Sequence, residues 1–116
     1  DASVKFYGET LGFREKIAWG EGDKRAIMMD TGDGNYIEIF AGGTTGPKPE
    51  GAILHFAIRT DNCDAALERA RAAGVEVTME PESIDIQSRP APTAVRIAFF
   101  KGPDGEVIEL LQNEVT

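Results

Sequence analysis

The sequence contains a single cysteine, Cys63. It has no partner for an internal disulfide, so nothing in the fold is expected to need an oxidising compartment, and a cytoplasmic location is expected. Long apolar runs are missing as well. Stretches such as Ala52 to Leu54 and Ile97 to Phe100 fall far short of the about 20 residues that a membrane-crossing helix requires. The opening residues, Asp1 to Lys5, have no basic-then-apolar pattern, so no secretory leader is expected in them. Positive charge is scarce. Twelve Lys and Arg against 20 Asp and Glu leave a net charge of −8, which repels nucleic acid and anionic membranes and argues against both as partners. What remains, 116 residues with 41% hydrophobic and 28% charged, is the balance of one globular domain with an ordinary core.

Periodicity predicts the order of elements. Val4, Tyr7 and Leu11 recur at helical spacing across Asp1 to Leu11, and Gly12 supplies a stop. Three short extended runs follow, Phe13 to Trp19, Arg25 to Thr31 and Tyr36 to Phe40. They are separated by Gly20-Glu21-Gly22-Asp23 and Gly32-Asp33-Gly34-Asn35, whose residues tolerate the positive φ of hairpin turns. The stretch AGGTTGPKPEG, residues 41–51, reads as a linker. The pattern then restarts with a strand at Ile53 to Thr60, a cap at Asp61-Asn62, an Ala-rich helix at Asp64 to Ala73 and a stop at Gly74. Strands follow at Val75 to Met79, Val95 to Lys101 and Glu106 to Gln112. The segment Ser83 to Thr93 reads as a loop long enough to lie over a cleft.

These halves form a repeat, with module one at 1–40 and module two at 52–116. GDGNYIEIF matches GPDGEVIELL, Gly12 matches Gly74, and Glu38 matches Glu109, each glutamate inside an Ile-Glu-aliphatic triplet. The second module is strand-helix-strand-strand-strand, whereas the first lacks its opening strand. His55 lies 19 residues before Gly74, and the same step back from Gly12 places the expected strand upstream of residue 1. A sheet left open there would be exposed to edge-to-edge pairing.

Glu38 shares a strand face with Tyr36 and Phe40, Glu109 shares one with Val107 and Leu111, and His55 shares one with Ile53, Ala57 and Arg59. Ionisable groups among apolar neighbours cost several kcal/mol unless paired or bound to metal. Singly, each residue has an ordinary reading: a strand glutamate pointing to water, or a hydrogen-bonded structural histidine. Together, one His and two Glu at repeat-related positions make a ligand set for a divalent metal, with a fourth ligand expected from the missing strand. Arg59, with the parity of His55, and Arg89, in the segment over the cleft, are candidates to meet an anionic substrate. Trp19 and Phe40 are better explained as core packing than as pocket lining. Cys63 has no basic neighbour and is not expected to be a catalytic thiol. GDGNY and GPDGE lack the spacing and the following helix of a phosphate loop.

FYGETLGF (Phe6 to Phe13), YIEIF, LHFAI and FFKGPDGEVIEL (Phe99 to Leu110) resemble the vicinal oxygen chelate superfamily, which includes glyoxalase I, extradiol dioxygenases and bleomycin-binding proteins. The resemblance spans nearly the whole chain. It implies an α+β fold of two βαβββ modules whose curled mixed sheets form a cleft, and it implies a homodimer. By position, Glu38, His55 and Glu109 correspond to three of the four metal ligands of glyoxalase I-like members. The implied cofactor is a divalent ion (Ni, Zn, Mn, Co or Fe). The implied activity is that of a lyase or isomerase acting on a small α-oxygenated carbonyl compound, by proton transfer through a metal-bound enediolate. Glu109, or else Glu38, would be the base. A metal-free ligand-binding protein of the bleomycin-resistance kind is the alternative. An extradiol dioxygenase fits less well, because its two His and one Glu leave Glu38 without a role.

Overall fold

The computed structural model describes residues 1–48, 55–88 and 90–115. They fall into two compact units, Asp1–Lys48 and Pro49–Thr116.

The first unit opens with α1 (Ala2–Lys5), which widens into a π-helical turn at Phe6–Thr10. The sequence pattern predicts one regular helix here. The wider turn instead carries the adjacent rings of Phe6 and Tyr7 into the core together. Tyr7 meets Phe6 edge-on and stacks on Phe13, with centroids 5.3 and 5.4 Å apart. Gly12, at φ +76°, ends the element as only a glycine does without strain. Strands β1 (Arg14–Trp19), β2 (Ala26–Asp30) and β3 (Tyr36–Phe40) form an antiparallel sheet in the order β1-β2-β3. At the β1–β2 turn a Cβ on Gly20 would stand 2.1 Å from the Lys24 carbonyl oxygen, so that position must be glycine. The β2–β3 turn is tied by Asp33, whose carboxylate accepts from the Thr31 hydroxyl at 2.8 Å and the Asn35 amide at 3.1 Å.

The second unit runs β4 (His55–Arg59), α2 (Cys63–Ala72), β5 (Glu76–Ile86), β6 (Thr93–Lys101) and β7 (Val107–Gln112). Its sheet order is β4-β7-β6-β5, with β4 parallel to β7 and the other pairs antiparallel. The architecture is therefore α+β with two open sheets. Ile53 and Leu54, expected to open this strand, lie outside the described residues. Asn62 caps α2 by accepting from the Ala65 amide at 3.0 Å, and the Gln112 side chain accepts from the Cys63 amide at 2.8 Å. Cys63, Ala66, Leu67 and Ala70 make the buried stripe of α2, which packs on β5, β6 and β7 against Ala98, Phe100, Ile108 and Leu110. The Arg96 guanidinium grips both Asp64 carboxylate oxygens, at 2.6 and 2.8 Å, and so ties β6 to α2.

One expectation needs correction. Ser83 to Thr93 is not a free loop: Ser83 to Ile86 continue β5 and pair with Arg96 to Thr93. The strand expected to end at Met79 runs on through Pro81. The structure places Pro81 inside a register shift between Met79 and Glu82, where its missing amide leaves no ladder position unfilled. No described helix is long and apolar enough to cross a membrane.

Two predictions follow from this packing. Leu67→Ala, at a fully buried site under α2, lowers the unfolding free energy by about 2–5 kcal/mol in urea denaturation. Hydrogen bonding from Arg96 holds the Asp64 carboxyl below the usual carboxylate range. That contribution is present at neutral pH and is lost as pH falls through the Asp64 titration. Acidification to about pH 3 therefore lowers the urea midpoint more in the wild type than in Asp64→Asn.

Candidate functional site

The second sheet has two unlike faces. Alternation turns Phe100, Ile108 and Leu110 toward α2, and it turns Phe99, Glu109 and Ala57 the other way in one row across β6, β7 and β4. His55 and Arg59 share that second face. Parallel register sets Ala57, not His55, directly beside Glu109, so the histidine approaches Glu109 on the diagonal. Its Nε2 stands 3.3 Å from Glu109 Oε2, with half of the imidazole exposed but only 15% of the Glu109 side chain. The partner that an ionisable group needs among apolar neighbours is thus present for both residues.

Phe99 completes the cluster, its ring edge-to-face with the imidazole at a centroid distance of 5.6 Å and 79°. Sequence reasoning missed Phe99. Its parity within β6 is visible, but its place beside Glu109 depends on a register that one strand cannot disclose.

In the first unit, Glu38 is the third residue of β3, as Glu109 is the third of β7, and stands opposite Met28 of β2. Its face carries Ile17, Trp19, Tyr36 and Phe40, all exposed. Trp19 and Phe40 meet edge-to-face at 6.2 Å and border a cavity of about 230 Å³ walled also by Val4, Ala26, Ile27 and Ile39. This corrects the core-packing expectation for those two rings. Alternation puts them with Glu38, on the face opposite the buried Met29. β3 is an edge strand of its sheet, whereas its counterpart β7 is flanked on both sides.

The remaining candidates are placed as follows. Arg59 is exposed at the end of β4, 3.7 Å from Asp61. Arg89 lies outside the described residues. Cys63 is fully buried, and burial pushes its thiol pKa up, which keeps it protonated and unreactive. Among the described residues no three His, Cys, Asp or Glu side chains gather as a ligand cluster. The structure brings His55 and Glu109 together, and Glu38 belongs to the other unit. The pair nevertheless fits a divalent cation. It offers one imidazole nitrogen and one carboxylate oxygen, and 3.3 Å is close to the spacing of neighbouring donors around an ion with bonds of about 2.0–2.1 Å.

The family model for the Glyoxalase/Bleomycin resistance protein/Dioxygenase superfamily matches residues 1–110. The chain belongs to this superfamily. It is 31% identical over 121 residues to a Vibrio parahaemolyticus protein named "Probable lactoylglutathione lyase", a match that covers 98% of this chain and 83% of the relative. Among solved structures it is similar to the trypanothione-dependent glyoxalase I of Leishmania major (TM-score 0.70, 28% identity, 97% of this chain and 77% of that one). It is also similar to TnmS3, an antibiotic-binding protein from Streptomyces sp. CB03234 (TM-score 0.68, 28% identity, 97% and 85%). Superfamily members of both kinds, enzyme and binder, therefore share the fold.

Trp19 is the sole tryptophan and reports on the cavity of the first unit. Phe40→Ala, which removes its ring partner, shifts tryptophan fluorescence to longer wavelength.

Proposed function

We propose that the protein is a metal-dependent lyase or isomerase of the glyoxalase I type, acting on a small α-oxygenated carbonyl compound. The observation that carries this reading is the His55–Glu109 pair, with a largely buried carboxylate held 3.3 Å from an imidazole nitrogen on the face of the sheet away from α2. His55 and Glu109 would hold the ion. A divalent ion at such a site supplies a Lewis acid for two neighbouring substrate oxygens. Glu109 takes a proton from one substrate carbon and returns it to the adjacent one, and its partial burial limits exchange of that proton with water. His55 orients the carboxylate. Arg59, on the same face four residues along β4, would meet an anionic group of the substrate. A homodimer fits this reading.

A second reading, a metal-free binding protein, is favoured by one observation. The Glu38 face exposes Ile17, Trp19, Tyr36 and Phe40, with Phe40 62% exposed, and this apolar surface suits a bulky ligand. The similarity to an antibiotic-binding protein supports the same reading.

Elemental analysis of untagged protein separates the two. The lyase reading expects about one divalent ion per chain. It also expects His55→Ala and Glu109→Ala each to weaken binding by at least about 100-fold, since even groups behind metal ligands are worth about 10–100-fold. Failure to take up Ni, Zn, Mn, Co or Fe on reconstitution overturns it in favour of the binder.

A further inference from the structure

We infer that Phe99 is a positioning residue: it sets the plane of the His55 imidazole and shields the Glu109 carboxylate, so that Nε2 of the ring stays turned toward Glu109. The inference extends the reading of His55 and Glu109 as a functional pair.

His55 is on β4 and Phe99 on β6, with β7 between them. Neighbouring strands lie about 4.7–4.9 Å apart, so side chains standing upright on β4 and β6 would be separated by at least about 9–10 Å. The ring centroids are 5.6 Å apart. Both rings therefore lean inward over β7, and the residue of β7 that Phe99 directly faces is Glu109. Two aromatic rings meeting above a carboxylate stem account for the low exposure of Glu109 beside a half-exposed histidine.

Each flank of this arrangement is built to permit it. On the β4 side, the residue beside Glu109 is Ala57, whose methyl group leaves room for the imidazole to cross diagonally. On the β5 side, Met79 stands opposite Phe99 between two register shifts, so the strand is bulged on both sides of the one residue that pairs with Phe99. The edge-to-face contact, at 79°, sets the tilt of the imidazole, and Glu109 then selects which nitrogen faces it. In the corresponding position of the first unit the residue opposite Glu38 is Met28, a flexible thioether that cannot orient a ring in this way. The aromatic device belongs to the second unit.

Because His55 is the sole histidine, its imidazole signals are unambiguous. The test is NOE spectroscopy on the metal-free protein, which reads whether the Nε2 edge of the ring faces Glu109. In the wild type, the ring protons flanking Nε2 are expected to show NOE contacts to the Glu109 side chain. Phe99→Leu, which keeps an apolar side chain without a ring, should lose these contacts, whereas Phe99→Tyr should retain them. Cobalt(II) affinity, measured from visible absorption, should fall about 10-fold in Phe99→Leu and be restored in Phe99→Tyr.

Unchanged NOE contacts between the Nε2 edge of His55 and Glu109 in folded Phe99→Leu overturn the inference. So does loss of those contacts in Phe99→Tyr. If Phe99→Leu does not fold, Phe99→Met serves, with the same expected and overturning results. A wild type that binds no cobalt refutes the metal reading alone, because the ring orientation still decides the role of Phe99.

Discussion

Everything in the second unit depends on one face of its sheet being closed by α2. The helix buries Ala98, Phe100, Ile108 and Leu110 almost completely. Strand alternation then sends Phe99 and Glu109 to the other side without further instruction. The strength of this arrangement comes from its hydrophobic half: each large side chain buried there contributes about 1.5–3 kcal/mol. A one-residue slip of β7 would put Glu109 under the helix and Leu110 into the open, exchanging a favourable burial for the desolvation of a carboxylate. The register that makes the core is therefore the register that presents the acid.

The two units apply this rule with different outcomes. Each carries a glutamate third in its last strand, beside an antiparallel neighbour. In the second unit that last strand is flanked on both sides, and Ala57 and His55 come from the added parallel strand. In the first, β3 is an edge, and aromatic and aliphatic side chains stand exposed around Glu38. Superfamily members that resemble this chain include proteins named for catalysis and for antibiotic binding. The same strand pattern is thus filled differently in the two units: a tight polar pair under rings in one, a broad apolar face in the other.

Much of this is legible in the residues alone because it is local. The hairpin turns, the stops at Gly12 and Gly74, the Asn62 cap and the parity of Glu38, His55 and Glu109 depend on neighbours a few positions away. Three features escape such reading. The strand expected to end at Met79 runs on, because a register shift absorbs Pro81, and that shift is a property of the pair β5–β6. Trp19 and Phe40 look like core because of their size, yet it is Met29 on the opposite face that is fully buried, and alternation alone does not say which face the fold covers. Phe99 is indistinguishable from Phe100 in composition, and only the pairing of β6 with β7 gives one to the helix and the other to Glu109.

The parallel pairing of β4 with β7 has a consequence in time as well as in space. β5 pairs with β6 and β6 with β7 through short connections, so those ladders form among residues that are close in the chain. β4 must wait, because its partners run from Val107 to Leu111. A chain emerging from the ribosome therefore carries His55 for more than 50 residues of synthesis before Glu109 exists to meet it. Closing so large a loop is the slow kind of contact, reached after hairpins have formed. The histidine joins its acid only when the sheet takes in its outermost strand, so the chemistry of this face is among the last things the folding chain acquires.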